Sequence, residues 1–151
     1  MSEVSSVGGF PVALDRAYDR LDHVWVRVEG DRVRVGMDAL AQEMAGDLAQ
    51  LTILSPGTVV ARGDELGSIE AQKFVGALRS PVSGTVLQVN DAVLDNPRLV
   101  NADPLGEGWL IVLAPGERFD DELSGMVSGD AILPWFEAEV EDYRLKGVLA
   151  E

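Results

Sequence analysis

A chain of 151 residues with 46% hydrophobic content is long enough to bury one real core and gives no reason to expect a second domain. Its 26 acidic residues against 12 basic ones set a formal charge of −14, which repels phosphate backbones and anionic lipid surfaces and disfavours nucleic acid and membrane as partners. The absence of cysteine excludes disulfide staples, Cys-based metal sites and any thiol chemistry of the chain's own. With no basic n-region, no long apolar stretch and no segment of transmembrane length, a cytoplasmic location is expected.

Residues 1–15 are small and polar around Phe10-Pro11 and read as a mobile lead-in. From Val24 the pattern becomes β. Val24 to Glu29 and Arg32 to Met37 alternate with period two about a Gly30-Asp31 turn, the signature of a hairpin. Asp38 is placed to cap a short helix through Met44 that Gly46 ends, and Leu48 to Leu54 resumes a strand before Pro56. Gly57-Thr58-Val59 running to Gly63-Asp64 is echoed by Gly84-Thr85-Val86 running to Asn90-Asp91, residues that tolerate positive φ. The echo implies a quasi-two-fold β-sandwich whose halves are joined by the segment between the copies.

That segment carries Lys73, one of only two lysines, in Gly67-Ser68-Ile69-Glu70-Ala71-Gln72-Lys73-Phe74-Val75-Gly76-Ala77. It reads as strand, tight turn, strand, with the amine lifted out as a handle for covalent attachment. After the second copy come Asn96-Pro97, Asp103-Pro104, Gly106 and Gly108, a structured loop, and then a final strand from Trp109 to Leu113. The remainder is helical: Pro134 suits a first turn, and Trp135, Phe136, Val140 and Tyr143 form an apolar stripe expected to pack on the sheets. The expected organisation is a lead-in (1–15), a mainly β domain (16–115) and a C-terminal helical segment packed on it (116–151).

Two stretches together resemble the H-protein family, the lipoyl carriers of the glycine cleavage system. One is the lysine hairpin with Gly63-Asp64, Gly67, Glu70 and Lys73, followed by Ser80-Pro81-Val82-Ser83-Gly84. The other is the irregular string Val89-Asn90, Leu94, Asn96-Pro97, Leu99-Val100-Asn101, Asp103-Pro104 and Gly106-Glu107-Gly108-Trp109. The resemblance implies a flattened β-sandwich or hybrid barrel of the lipoyl/biotinyl carrier type. It also implies lipoate held as an amide on Lys73, recognition of Glu70 by the lipoate-attaching enzyme, and a substrate shuttle that is not itself an enzyme. Acylation would remove the lysine charge and put a dithiolane on a long tether that can visit several active sites. A biotin carrier is disfavoured, because Gln72 and Phe74 stand where biotin acceptors usually set methionines. His23, the only histidine, reads as structural beside Trp25, with no second His or Cys to make a metal site or catalytic pair.

The departures from the family pattern bear on cargo. Where the family supplies a Glu between the His and Trp, this chain has Val24, and where it commonly has an Asp four residues after the lysine, it has Ala77. Met44 replaces polar residues on the short helix, and Gln72 and Phe74 flank the lysine. Val24, Met44, Gln72, Phe74 and Ala77 are therefore expected to form an apolar cleft for the arm, unsuited to a protonated amine and better suited to a soft, polarisable adduct. In this pattern the chain is similar to the lipoate-binding proteins of the heterodisulfide-reductase-like sulfur-oxidising system. That similarity implies a carrier of sulfur intermediates, with a lipoate ligase, the reductase-like complex and dihydrolipoamide dehydrogenase as partners. The alternatives are an H protein carrying aminomethyl groups between the glycine cleavage enzymes, and a lipoyl donor or adaptor.

Overall fold

The computed structural model describes residues 3–149. Two antiparallel sheets face each other across a shared core. The larger has six strands, in the order β3 (Ala17–Tyr18), β4 (Val24–Glu29), β5 (Arg32–Met37), β11 (Ile111–Pro115), β10 (Gly84–Val89) and β7 (Val59–Val60), and the smaller three, in the order β6 (Leu48–Ile53), β8 (Glu65–Ala71) and β9 (Val75–Arg79), so β9 is an edge strand.

The large sheet is seeded by the hairpin expected at Gly30-Asp31. Strands β4 and β5 pair from Val24↔Met37 to Glu29↔Arg32. Beside them lie β3, β11, β10 and β7. The two copies of the sequence echo pair with each other there, Gly84↔Val60 and Thr85↔Val59. They do not head two symmetric halves, since six strands face three. Nor does the second copy end in a positive-φ turn: Asn90 has φ −79° and caps the short helix α2 (Asp91–Asp95).

The small sheet is β6, β8 and β9, with the lysine turn joining the last two. Its inward side chains, Leu51, Leu66, Ile69 and Leu78, meet Val26, Val33, Val35, Val86 and Leu113 of the large sheet. Helix α1 (Ala39–Ala45) lies where the sequence placed it, with the Asp38 carboxylate accepting from Ala41 N and Gly46 closing its end. The loop 96–108 contains α3 (Arg98–Ala102).

Residues 1–15 depart from the expected mobile lead-in. Met1 and Ser2 lie outside the described residues, while β1 (Val4–Val7) and β2 (Phe10–Ala13) form a hairpin in which Val12 and Ala13 are fully buried. The physical reason is that Val7, Phe10, Val12 and Leu14 find an apolar partner far away in sequence. That partner is α5 (Ile132–Leu145), which follows α4 (Phe119–Ser124) and buries Ile132, Phe136 and Val140. Together with Tyr18, Trp25 and Leu40 these residues build a second core. Burying Phe136 alone contributes roughly 1.5–3 kcal/mol. No helix among the described residues is long and apolar enough to cross a membrane.

Candidate functional site

The lysine turn is seated on the end of α1 by backbone bonds. Lys73 N donates to Ala45 O at 2.7 Å and Gln72 N to Asp47 O at 3.0 Å. Gly46 lies between these acceptors with φ +79°, and a Cβ there would come 2.9 Å from Gln72 Cβ. From the other side, the Asn101 amide donates to Gly46 O at 2.8 Å and its oxygen accepts from Leu48 N at 2.9 Å. The irregular string around Asn101 thus fixes the Ala45–Leu48 segment on which the turn rests.

Lys73 itself is exposed and makes no ion pair among the described residues. The other lysine, Lys146, is tied to Asp142 at 2.8 Å. An unpaired primary amine at a turn apex is open to acylation; a paired one must first break its bond.

Beside the turn lies a cleft of about 610 Å³, within the usual range for small-molecule sites. Lys73, Val24, Met44, Phe74 and Ala77 all line it. Gln72 does not. Its side chain packs against Gly46 instead. Glu70 lies on the outer face of β8, exposed, along a groove with Gln50, Ser68 and Val75.

Met37, Ala41, Ala45, Ile69 and Leu78 complete a largely apolar wall that sequence reasoning had not assembled. They come from β5, α1, β8 and β9, and their apolar character alone reads only as core. The cleft also holds two charges missed in the sequence, Asp22 and Arg79. Burial pushes the Asp22 carboxyl up, as does nearby Asp19, against the pull of Arg79. Asp22 is one residue from His23, so a carboxylate does reach this wall although Val24 and Ala77 carry none. Among the described residues no group of three or more His, Cys, Asp and Glu side chains is placed to hold a metal ion.

His23 lines the cleft too, but not as a histidine beside Trp25. It is 1% exposed, has φ +56°, and stacks on Trp135 of α5 with ring centroids 5.1 Å apart. Its Nδ1 lies 2.6 Å from Asp38 Oδ2 and its Nε2 2.8 Å from Glu139 Oε1. Burial lowers the imidazole pKa, but the bonds and charges of Asp38 and Glu139 outweigh it and the net shift is upward. Asp38 served the sequence reading as a helix cap. Glu139 carried no signal, since its contact with His23 spans 116 residues.

The cleft fits a lysine-linked chain of medium length: an open amine at one end, continuous apolar wall beyond it, and charge only at Asp22, Arg79 and the covered His23. Comparison with known proteins agrees with this geometry. The family model described as glycine cleavage H-protein matches residues 16–133. Relatives include the glycine cleavage system H proteins of Geobacillus thermodenitrificans, 42% identical over 62% of this chain and 74% of that one, and of Myxococcus xanthus, 42% identical over 68% and 79%. The crystal structure of a glycine cleavage system H protein from Mycobacterium marinum superposes with a TM-score of 0.65 at 35% identity, covering 69% of this chain and 86% of that one. With sheet order, lysine turn and the 16–133 match in accord, the chain belongs to the glycine cleavage H-protein family, whose members are carriers of a lysine-bound lipoate and not enzymes.

Proposed function

We propose that this protein is a shuttle bearing lipoate on Lys73, and that it serves as the H protein of a glycine cleavage system in the cytoplasm. The observation that carries the reading is the unpaired Lys73 amine at the apex of a turn whose backbone is fixed by Ala45 and Asp47, directly beside the apolar cleft. When bound, lipoate supplies a disulfide that can be reduced, loaded and reoxidised as it moves between partner enzymes. The chain's own contribution is mechanical and dielectric. The rigid turn sets the origin of the tether, so that the reach of the arm is defined. Val24, Met37, Met44, Ile69, Phe74 and Leu78 offer a water-poor wall, and Asp22 at its rim gives a positive cargo a carboxylate. Glu70, outward on β8, marks the face offered to the attaching enzyme.

The sequence placed a sulfur carrier first and the aminomethyl carrier second. The family match and the named relatives favour the second. One observation keeps the sulfur reading in play: neither Val24 nor Ala77 carries the carboxylate the family pattern supplies, and Met37 and Met44 both face the cleft. Intact-mass measurement after incubation with a lipoate ligase should show one lipoyl increment that Lys73→Arg abolishes, and an increment that survives Lys73→Arg would overturn the assignment. The lipoylated protein should then support glycine decarboxylation with the partner enzymes. Failure there, together with transfer of a sulfane sulfur to the reduced arm, would establish the sulfur carrier instead.

A further inference from the structure

Beyond residue 133, where the family match ends, α5 reaches back to the lysine site. Trp135 stacks on His23, Glu139 bonds its Nε2, and Asp38 bonds its Nδ1. Asp38 is also the N-cap of α1, accepting from Ala41 N at 2.9 Å, and the last residue of α1, Ala45, accepts the Lys73 amide. The contacts run without a gap from α5 through His23 and α1 to the lysine turn.

We infer that Glu139 is a positioning residue for the lysine turn: with Asp38 it holds His23 as a double hydrogen-bond donor, and that hold fixes the cap of the helix on which the turn rests. A neutral imidazole has one N–H and can donate to only one of two carboxylates, so with Asp38 and Glu139 both ionised the two bonds exist together only when the ring is protonated. When the proton leaves, one bond fails. Asp38 is 1% exposed and also capped into α1, whereas Glu139 is 22% exposed and can turn to water. The bond to Glu139 is therefore the one that opens, and the tie of α5 to the ring is reduced to the Trp135 stack and the long Tyr143 contact.

The other charges facing the ring do not supply a substitute. Tyr143 Oη lies 3.4 Å from Nε2, at the edge of hydrogen-bonding distance, and burial raises its pKa, as does Glu139. Asp22, adjacent in the chain, is partly offset by Arg79 on β9.

This inference rests on the carrier reading for its significance but is tested on the unmodified chain. The lone histidine gives a single imidazole NMR titration, to be followed in wild type, Glu139→Gln and Glu139→Ala, alongside the amide-exchange protection of Lys73 and of Val86 and Leu113 in the large sheet. The midpoint should fall in Glu139→Gln, which loses the charge, keeps an acceptor and adds an amide donor. Wild-type protection at Lys73 should drop several-fold as pH passes the His23 midpoint, and in Glu139→Gln, whose amide can accept from the protonated ring and donate to the neutral one, the drop should largely disappear. Val86 and Leu113 should not follow it. The inference is overturned if wild-type Lys73 protection is indifferent to the His23 midpoint, if Glu139→Gln shows the same drop as wild type, or if Val86 and Leu113 lose protection in step. Glu139→Ala, which loses acceptor and charge together, should lower Lys73 protection already at neutral pH; wild-type protection there would also count against the inference. A chain that fails to accept lipoate would refute the carrier reading and leave this result standing.

Discussion

At Gly46 three demands meet on one residue. The backbone takes φ +79°, the carbonyl is bound by Asn101, and the space where a Cβ would sit is occupied by Gln72 Cβ. Gly46→Ala should therefore destabilise the fold by about 1 kcal/mol or more from the backbone conformation alone. It should also slow lipoylation at Lys73, since relief of the clash displaces Gln72 and with it the turn. A denaturant midpoint and the time course of the mass increment measure the two effects; an unchanged modification rate would mean the turn is seated elsewhere. Much at this scale was legible. Lys73, Val24, Met44, Phe74 and Ala77 could be grouped from a known family pattern, whereas Gln72 misled because sequence adjacency to the lysine says nothing about which way a turn residue points. Asp22 and Glu139 could not be found, because one acidic residue among 26 has no mark in the sequence to set it apart.

Among the elements, α1 and the loop 96–108 act as one support. Asn101 uses its amide to Gly46 O and to Gln42 Oε1 and its oxygen to Leu48 N, so the loop holds both the end of α1 and the start of β6. Asn101→Ala leaves a partly buried N–H and C=O without partners and should cost about 1–3 kcal/mol, read as a lowered urea midpoint with unchanged slope. Asn101→Asp, which can accept from Leu48 N but cannot donate to Gly46 O, should fall between; equal loss in both variants would point to packing and not to the bonds. The sequence showed that the string from Asn90 to Trp109 was too irregular to be coincidence, but not what it did. Asn90 and Asp103 satisfy backbone groups of the string itself, while Asn101 reaches out to Gly46 and Leu48, and such pairings are settled only when the chain is folded.

For the molecule as a whole, the second core joins the N-terminal hairpin to α5 and brings Glu139 to His23. A raised His23 pKa means that the folded chain binds this proton more tightly than the unfolded one. The stabilisation is complete below the ordinary histidine value and is lost as pH rises through the raised one, and a tenfold tighter hold on the proton is worth ~1.4 kcal/mol. Asp38, raised first by its burial and opposed by His23, has the same sign. Stability should therefore decline from near neutrality upward in wild type, and His23→Gln should flatten that part of the curve. Thermal melts across the range test this, and parallel profiles for the two proteins would remove His23 as the cause. None of this was legible at the outset. The expected lead-in at residues 1–15 and the expected apolar stripe on the last helix are each other's partners, and two segments so far apart show no joint periodicity.

One consequence follows from the position of β9 at the edge of its sheet, where Gly76, Ala77 and Leu78 also line the cleft. An edge strand turns alternate N–H and C=O groups away from its only neighbour. Those groups belong to the main chain, and no side-chain replacement removes them. Replacing the side chains of Val24, Met44 or Ala77 changes the chemistry of the wall, while the main chain of β9 beside them stays as it is.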